Sequence, residues 1–378
     1  MTFPRSSLVD PDRSGAFHLV SRCVRGAFLC GDDAEHRRQW VTDGIRLQST
    51  AFCIDVLAYA VMSNHLHVVV TTQPGRAAAL TPLAVAERWA VLFPARDAEG
   101  NPVSPALDVL QARAADPLWI AERRRRLSSL SWYMKLLKER LARRANAEDQ
   151  CTGHFWEGRF ASVPLLDQAA VTACMAYVDL NPIRAKLADR PETSDFTSIQ
   201  ARIRDRQTAR QALVVADAIA DLPADLPGDR QADLAAKKLD DALPRAVPTA
   251  VPMLTAGTAG TAGKEATWLA PLHRCVPYSE ATAALCPAAL SLDNYLTLVD
   301  ETGRYIRSDK RGAIPHHLAP ILARLDLDLA AWLDAMLSPG RFRGGAIGSA
   351  AARAAEAVRR GVKWVVDRAK IHKTPAAA

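Results

Sequence analysis

No apolar run in the chain approaches the ~18 residues that a bilayer-spanning helix requires, and 24% of its residues are charged, so membrane-spanning classes are excluded at the outset. The opening stretch MTFPRSSLVDPDRSGAF has neither the apolar core nor the small-residue cleavage site of a secretory signal, which leads us to expect a cytoplasmic protein. Cysteine usage agrees with that expectation. The seven cysteines are scattered, odd in number and contain no C-x-x-C pair, so neither a disulfide framework nor a zinc knuckle is indicated.

What the sequence does have is length, apolar content and positive charge. Its 378 residues, 49% of them hydrophobic, exceed the needs of one average domain and suggest two. Lys plus Arg outnumber Asp plus Glu by 48 to 41, a net charge of +7. That balance favours a polyanionic partner but equally describes an arginine-rich surface that steers nothing.

Residues 16–24, AFHLVSRCV, have strand composition, and Arg25-Gly26 reads as a turn. HRRQWVTDGIRLQST follows with helical spacing. The runs FCIDVLAYAVM and HLHVVVTT, separated by Ser63-Asn64, read as antiparallel strands joined tightly. Residues 75–127 are Ala-rich, interrupted by prolines and expected as helical pieces with loops. A clearer helix occupies 128–146, with Ser128 or Ser129 as its cap. RFASVPLL reads as a further strand, which Pro164, lacking a backbone donor, places at an edge or a bulge. Asp167 caps a helix through DQAAVTACMAYVDL, a break belongs at Asn181 before Pro182, and IRAKLADR resumes the helix. Residues 206–266 shift to Ala, Pro and Thr and end in TAGTAGTAG, which reads as a linker; 267–378 regain apolar residues and read as a smaller helical domain.

Two places could carry chemistry. In a strand, residues two apart share a face, so the imidazoles of His65 and His67 project together and could hold one divalent ion. Two such histidines also occur on strands that ligate nothing. Tyr177 and Asn181 are four apart on one helix face. A tyrosine is a weak nucleophile near neutral pH, with a reference pKa of about 10; a metal that withdraws charge from a phosphate makes its attack feasible. Taken singly, Tyr177 reads equally as a packed helical tyrosine and Asn181 as the N-cap of a helix begun by Pro182.

Taken in order, YAVMSNHLHVVV, GHFWEGRFASVPLL and YVDLNPIRAKL resemble the HUH single-tyrosine transposases, and among them the REP-associated tyrosine transposases, over residues 16–200. The resemblance implies an α+β, ferredoxin-like core over 1–205 with a central antiparallel sheet and flanking helices, carrying an insertion at 75–127. It implies Tyr177 as the nucleophile, and His65, His67 and Asn181 as ligands of Mg²⁺ or Mn²⁺; many members carry glutamine in place of Asn181. The substrate would be single-stranded hairpin DNA, cleaved and rejoined through a 5′-phosphotyrosine. Arg159, Arg184, Trp132 and Trp156 are the candidate DNA contacts, by phosphate pairing and base stacking, and Arg304, Arg307, Lys310 and Arg311 could add an accessory contact. A homodimer is left open, as are two other activities: a hairpin-binding protein without catalysis, and a hydrolase using metal-bound water.

Overall fold

The structure is a computed structural model, in which residues 9–220, 268–270, 291–306, 328–338, 342, 345–367 and 369–371 are described. Its centre is a four-stranded antiparallel sheet of β1 (Gly15–Arg22), β2 (Ile54–Val61), β3 (His65–Thr72) and β4 (Ala161–Leu165), in the order β2-β3-β1-β4. The α+β class with an antiparallel sheet is therefore as expected from the sequence. β2 and β3 are joined through Met62, Ser63 and Asn64, with Met62 N–H donating to His65 O at 2.9 Å. β1, β2 and β3 are buried on both faces, which is why their sequences are near-continuous apolar runs without clean alternation.

Register fixes which side chains share a face. Val20 lies opposite His67, Arg22 opposite His65 and His18 opposite Val69. Directly opposed residues in a ladder point the same way, so His18, His65 and His67 occupy one face. Leu19, Leu66 and Val68, of the other parity and at most 1% exposed, form the core on the reverse side.

Helix α1 (His36–Ala51) packs against β2. The insertion consists of α2 (Pro74–Ala78), α3 (Pro82–Leu92), α4 (Leu107–Ala114) and α5 (Pro117–Leu127), with a two-residue ladder of Ala95–Arg96 on Pro102–Val103. α6 (Leu130–Glu148) begins as the sequence indicates, with Ser129 Oγ accepting from Trp132 N–H. Helix α7 (Gln168–Asp179) packs against β2, β3 and β4, and Asp167 caps it by accepting from Ala170 N–H at 2.9 Å.

The expected break at Asn181 is a boundary between α7 and a short α8 (Asn181–Arg184), but the intervening Leu180 keeps right-handed helical dihedrals. The helix expected over IRAKLADR stops at Arg184, and Lys186 turns left-handed with φ 58°. α9 (Ser198–Ala220) extends into the stretch expected to be linker; the rest of it, 221–266, lies outside the described residues.

The described residues up to Gln200 and those from Trp268 onward belong to one unit. The described C-terminal elements α10 (Leu292–Ile306), α11 (Leu329–Leu337) and α12 (Ala350–Arg360) lie in the same unit as the sheet. Three contacts show why. Tyr295 Oη donates to Asp179 Oδ2 at 2.5 Å, Leu166 N–H donates to Ile347 O at 2.8 Å beside the open edge of β4, and Trp268 stacks on Tyr59. The C-terminal stretch thus covers apolar surface and a sheet edge that would otherwise face water. Of the basic group at its start, Arg304 lies on α10 and pairs with Asp300; Arg307, Lys310 and Arg311 lie outside the described residues.

Candidate functional site

β3 places His65 and His67 side by side, their ring centroids 4.9 Å apart, as alternation demands. α7 lays Tyr177 across the same face. Its ring meets the edge of His67 at 5.9 Å and of His18 at 6.2 Å, and Phe342 stacks on it at 4.4 Å. Arg184, one turn beyond the end of α7, holds its guanidinium 4.9 Å from the Tyr177 ring centroid. Tyr177 is only 2% exposed, and His18 and His67 are fully buried.

His18 is the member that sequence reasoning missed. Its signal was a single imidazole in the otherwise apolar strand GAFHLVSR, two residues from the partner of His67 in the ladder. Its hydrogen bonds set the protonation pattern of the site. His18 Nδ1 lies 2.9 Å from Phe342 O, a carbonyl that can only accept, so Nδ1 carries the proton. In a neutral ring that leaves Nε2 as an acceptor, and it receives the Nδ1–H of His67 at 2.8 Å. His67 consequently presents the lone pair of Nε2. His65 reaches the same state by another route. Asn64 Nδ2 donates to Gly26 O at 3.1 Å, which turns its Oδ1 toward His65 Nδ1 at 2.6 Å and makes that nitrogen the donor. Both strand histidines therefore offer Nε2 as a base or ligand, with Nδ1 anchored in the manner of metal-ligating imidazoles.

The donor set fits a divalent ion in part. Two imidazoles bound to one ion have ring centroids roughly 4.5–5.2 Å apart for metal–nitrogen bonds of about 2.1 Å, and the observed spacing of 4.9 Å lies inside that range. Mg²⁺ and Mn²⁺ both favour oxygen ligands, so two imidazoles alone do not complete a site for either ion. Among the described residues no group of three or more His, Cys, Asp or Glu side chains is placed to hold a metal, so further ligands would be amide, water or substrate oxygen. Asn181 faces elsewhere with its amide nitrogen: Nδ2 donates to Tyr177 O at 3.1 Å and Val178 O at 3.4 Å, closing the end of α7. It is not the side-chain cap of α8.

The four expected DNA contacts fall in different places. Arg184 belongs to the Tyr177 site. Trp156 and Arg159 line a cavity of about 540 Å³ beside α6, where Trp156 Nε1 donates to Lys138 O at 3.0 Å. Trp132 lines another cavity, bounded by α3 and α6. Among the described residues no helix is long and apolar enough to cross a membrane.

No family model and no curated protein matches the chain. One solved structure, described as "Structure of the REP associates tyrosine transposase bound to a REP hairpin", is similar over 60% of this chain and 92% of its own, at 12% identity and a TM-score of 0.32.

Proposed function

We propose that the chain is a tyrosine nuclease or transposase of the HUH kind, acting on single-stranded hairpin DNA with a divalent ion as cofactor. The observation that carries this reading is the placement of Tyr177 on the sheet face that bears His65 and His67, its ring edge-on to His67, with both strand imidazoles anchored through Nδ1. His65 and His67 would hold the ion. When bound, it neutralises charge on the scissile phosphate and so lets a weak nucleophile react.

The remaining work falls to the chain itself. His18 and Asn64 fix the tautomers of the two ligand imidazoles. Arg184, over the Tyr177 ring, would pair with the phosphate. Tyr177 Oη attacks phosphorus, the phosphotyrosine bond forms as the bond to the 3′ oxygen breaks, and the phenol's proton ends on the leaving 3′-hydroxyl. Since a phosphodiester is exchanged for a phosphodiester, the hydroxyl can reverse the step on a new end. Trp156 and Arg159 would contact the strand outside the reacting centre.

Burial of Tyr177 favours a second reading, a hairpin-binding protein that does not cut, because its ring is packed among His18, His67 and Phe342. Incubation of the full chain with labelled hairpin DNA and Mn²⁺, resolved on a denaturing gel, separates the two. An adduct lost in Tyr177→Phe supports the nuclease. Binding without adduct supports the silent binder, and cleavage that persists in Tyr177→Phe points to hydrolysis by metal-bound water.

A further inference from the structure

Helices α3, α5 and α6 enclose a cavity of about 620 Å³ that takes no part in the Tyr177 site. Its floor is aromatic. Trp89 and Phe93 stack at 4.8 Å, and Trp132 meets Trp89 edge-on at 5.9 Å. Trp89 is buried, whereas Phe93 is 39% exposed, so the outer ring of the stack opens to solvent.

Its walls are cationic. Arg96, Arg126, Lys135, Arg140 and Arg143 line the cavity, against a single carboxylate, Glu139. These cations differ in availability. Arg140 is committed to structure: it donates to Leu92 O, and burial lowers its pKa. Arg126 is held by Glu122 and lies 4.0 Å over Trp132, which presents a flat guanidinium beside the rings. Lys135, exposed, has its ammonium 4.8 Å from the Trp132 centroid. Arg143 pairs with Glu139, but with its side chain 77% exposed that pair is weak and yields readily to a phosphate.

We infer that this cavity is a single-strand anchoring subsite, in which an unpaired base stacks on the open ring of Phe93 while its flanking phosphates pair with Lys135 and Arg143. The chemistry selects this occupant. Exposed ring faces serve a base that has left its own stack, which a duplex does not offer, and cations around the rings serve the backbone on either side. An acidic peptide would use the cations and leave the aromatic floor unexplained. The cavity volume is within the range that encloses a small ligand such as a nucleotide unit. The insertion supplies Phe93, Arg96 and Arg126, so this otherwise unexplained stretch acquires a role: it holds the strand away from the reacting phosphate.

The inference deepens the nuclease reading and rests on it for the choice of DNA, but its test does not require cutting. Fluorescein-labelled oligothymidine is titrated with the full chain in EDTA, across a salt series, for wild type, Phe93→Ala and Lys135→Ala. Both substituted side chains are exposed, so both variants are expected to fold. Phe93→Ala should weaken binding about tenfold, within the range that base stacking contributes. Lys135→Ala should lower the slope of log affinity against log salt by about 0.7, one phosphate's worth on a single strand. Unchanged affinity in Phe93→Ala with an unchanged slope in Lys135→Ala overturns the inference. So does displacement of the oligonucleotide by polyglutamate at equal charge concentration, which would mark an acidic-peptide site. Adduct formation assayed in parallel keeps the two ideas apart: adduct with unaltered variants sinks the subsite alone, and ring-dependent binding without adduct sinks the nuclease alone.

Discussion

The two candidate regions, the histidine–tyrosine face of the sheet and the aromatic cavity under the insertion, recruit similar residue types under opposite physical conditions. On the sheet, rings touch edge to face in the absence of solvent, and short hydrogen bonds decide which nitrogen bears a proton. In the cavity, rings open to water and the nearby charges are long, exposed side chains. The first arrangement stores precision and tolerates little substitution. The second stores affinity, spread over several contacts that each contribute modestly and that salt screens.

That contrast is best broken first where the sheet site depends on a buried polar group. Asp179, fully buried at the end of α7, accepts from Ser198 Oγ, from Ile199 N–H at 3.0 Å and from Tyr295 Oη at 2.5 Å. Asp179→Ala strands these donors and should cost about 3–5 kcal/mol, read as a fall in the denaturant midpoint. A loss under 1 kcal/mol would mean that the C-terminal helices hold to the sheet without this anchor.

Next in size is His18→Phe, which keeps the ring shape but removes both nitrogens. It should weaken Mn²⁺ binding about 10–100-fold, as loss of a group that orients a ligand histidine does. Titration followed by electron paramagnetic resonance gives the affinity, and nitrogen-15 shifts of His67 report the tautomer directly. His18→Gln, whose side-chain oxygen can accept from His67 Nδ1, should restore much of the loss. Unaltered His67 shifts in His18→Phe would refute the relay.

On the open side of the comparison, Arg143→Ala should reduce oligonucleotide affinity only about two- to fivefold at low salt and not measurably at high salt. Equal effects at both ionic strengths would make Arg143 a structural residue. The smallest expected change is Ser129→Ala at the start of α6, about 0.5–1 kcal/mol in stability, since its hydroxyl serves one backbone N–H. No detectable change there would assign the start of the helix to packing of Leu130 and Tyr133.

Legibility in the sequence divides along the same line. The strands of the sheet, the caps at Ser129 and Asp167 and the pairing of His65 with His67 were readable because period-two and capping rules act over a few residues. His18 was not, because its partners His67 and Phe342 are 49 and 324 residues away and only strand register and C-terminal packing bring them together. The contacts of the C-terminal stretch were illegible for the same reason. Its apolar faces are plain in the sequence, but the surface they cover, including Tyr59, Asp179 and the edge at Leu165, is set by the tertiary fold. Asn181 was read through its position one turn after Tyr177; that its amide nitrogen turns back onto the end of α7 was not legible.

Mass spectrometry of peptides from a hairpin DNA reaction with Mn²⁺ tests the central claim most directly. The geometry predicts a nucleotide joined through phosphate to Tyr177, in the peptide that also carries Asn181 and Arg184. An adduct on any other residue, or complete DNA cleavage with Tyr177 unmodified throughout the time course, would contradict it.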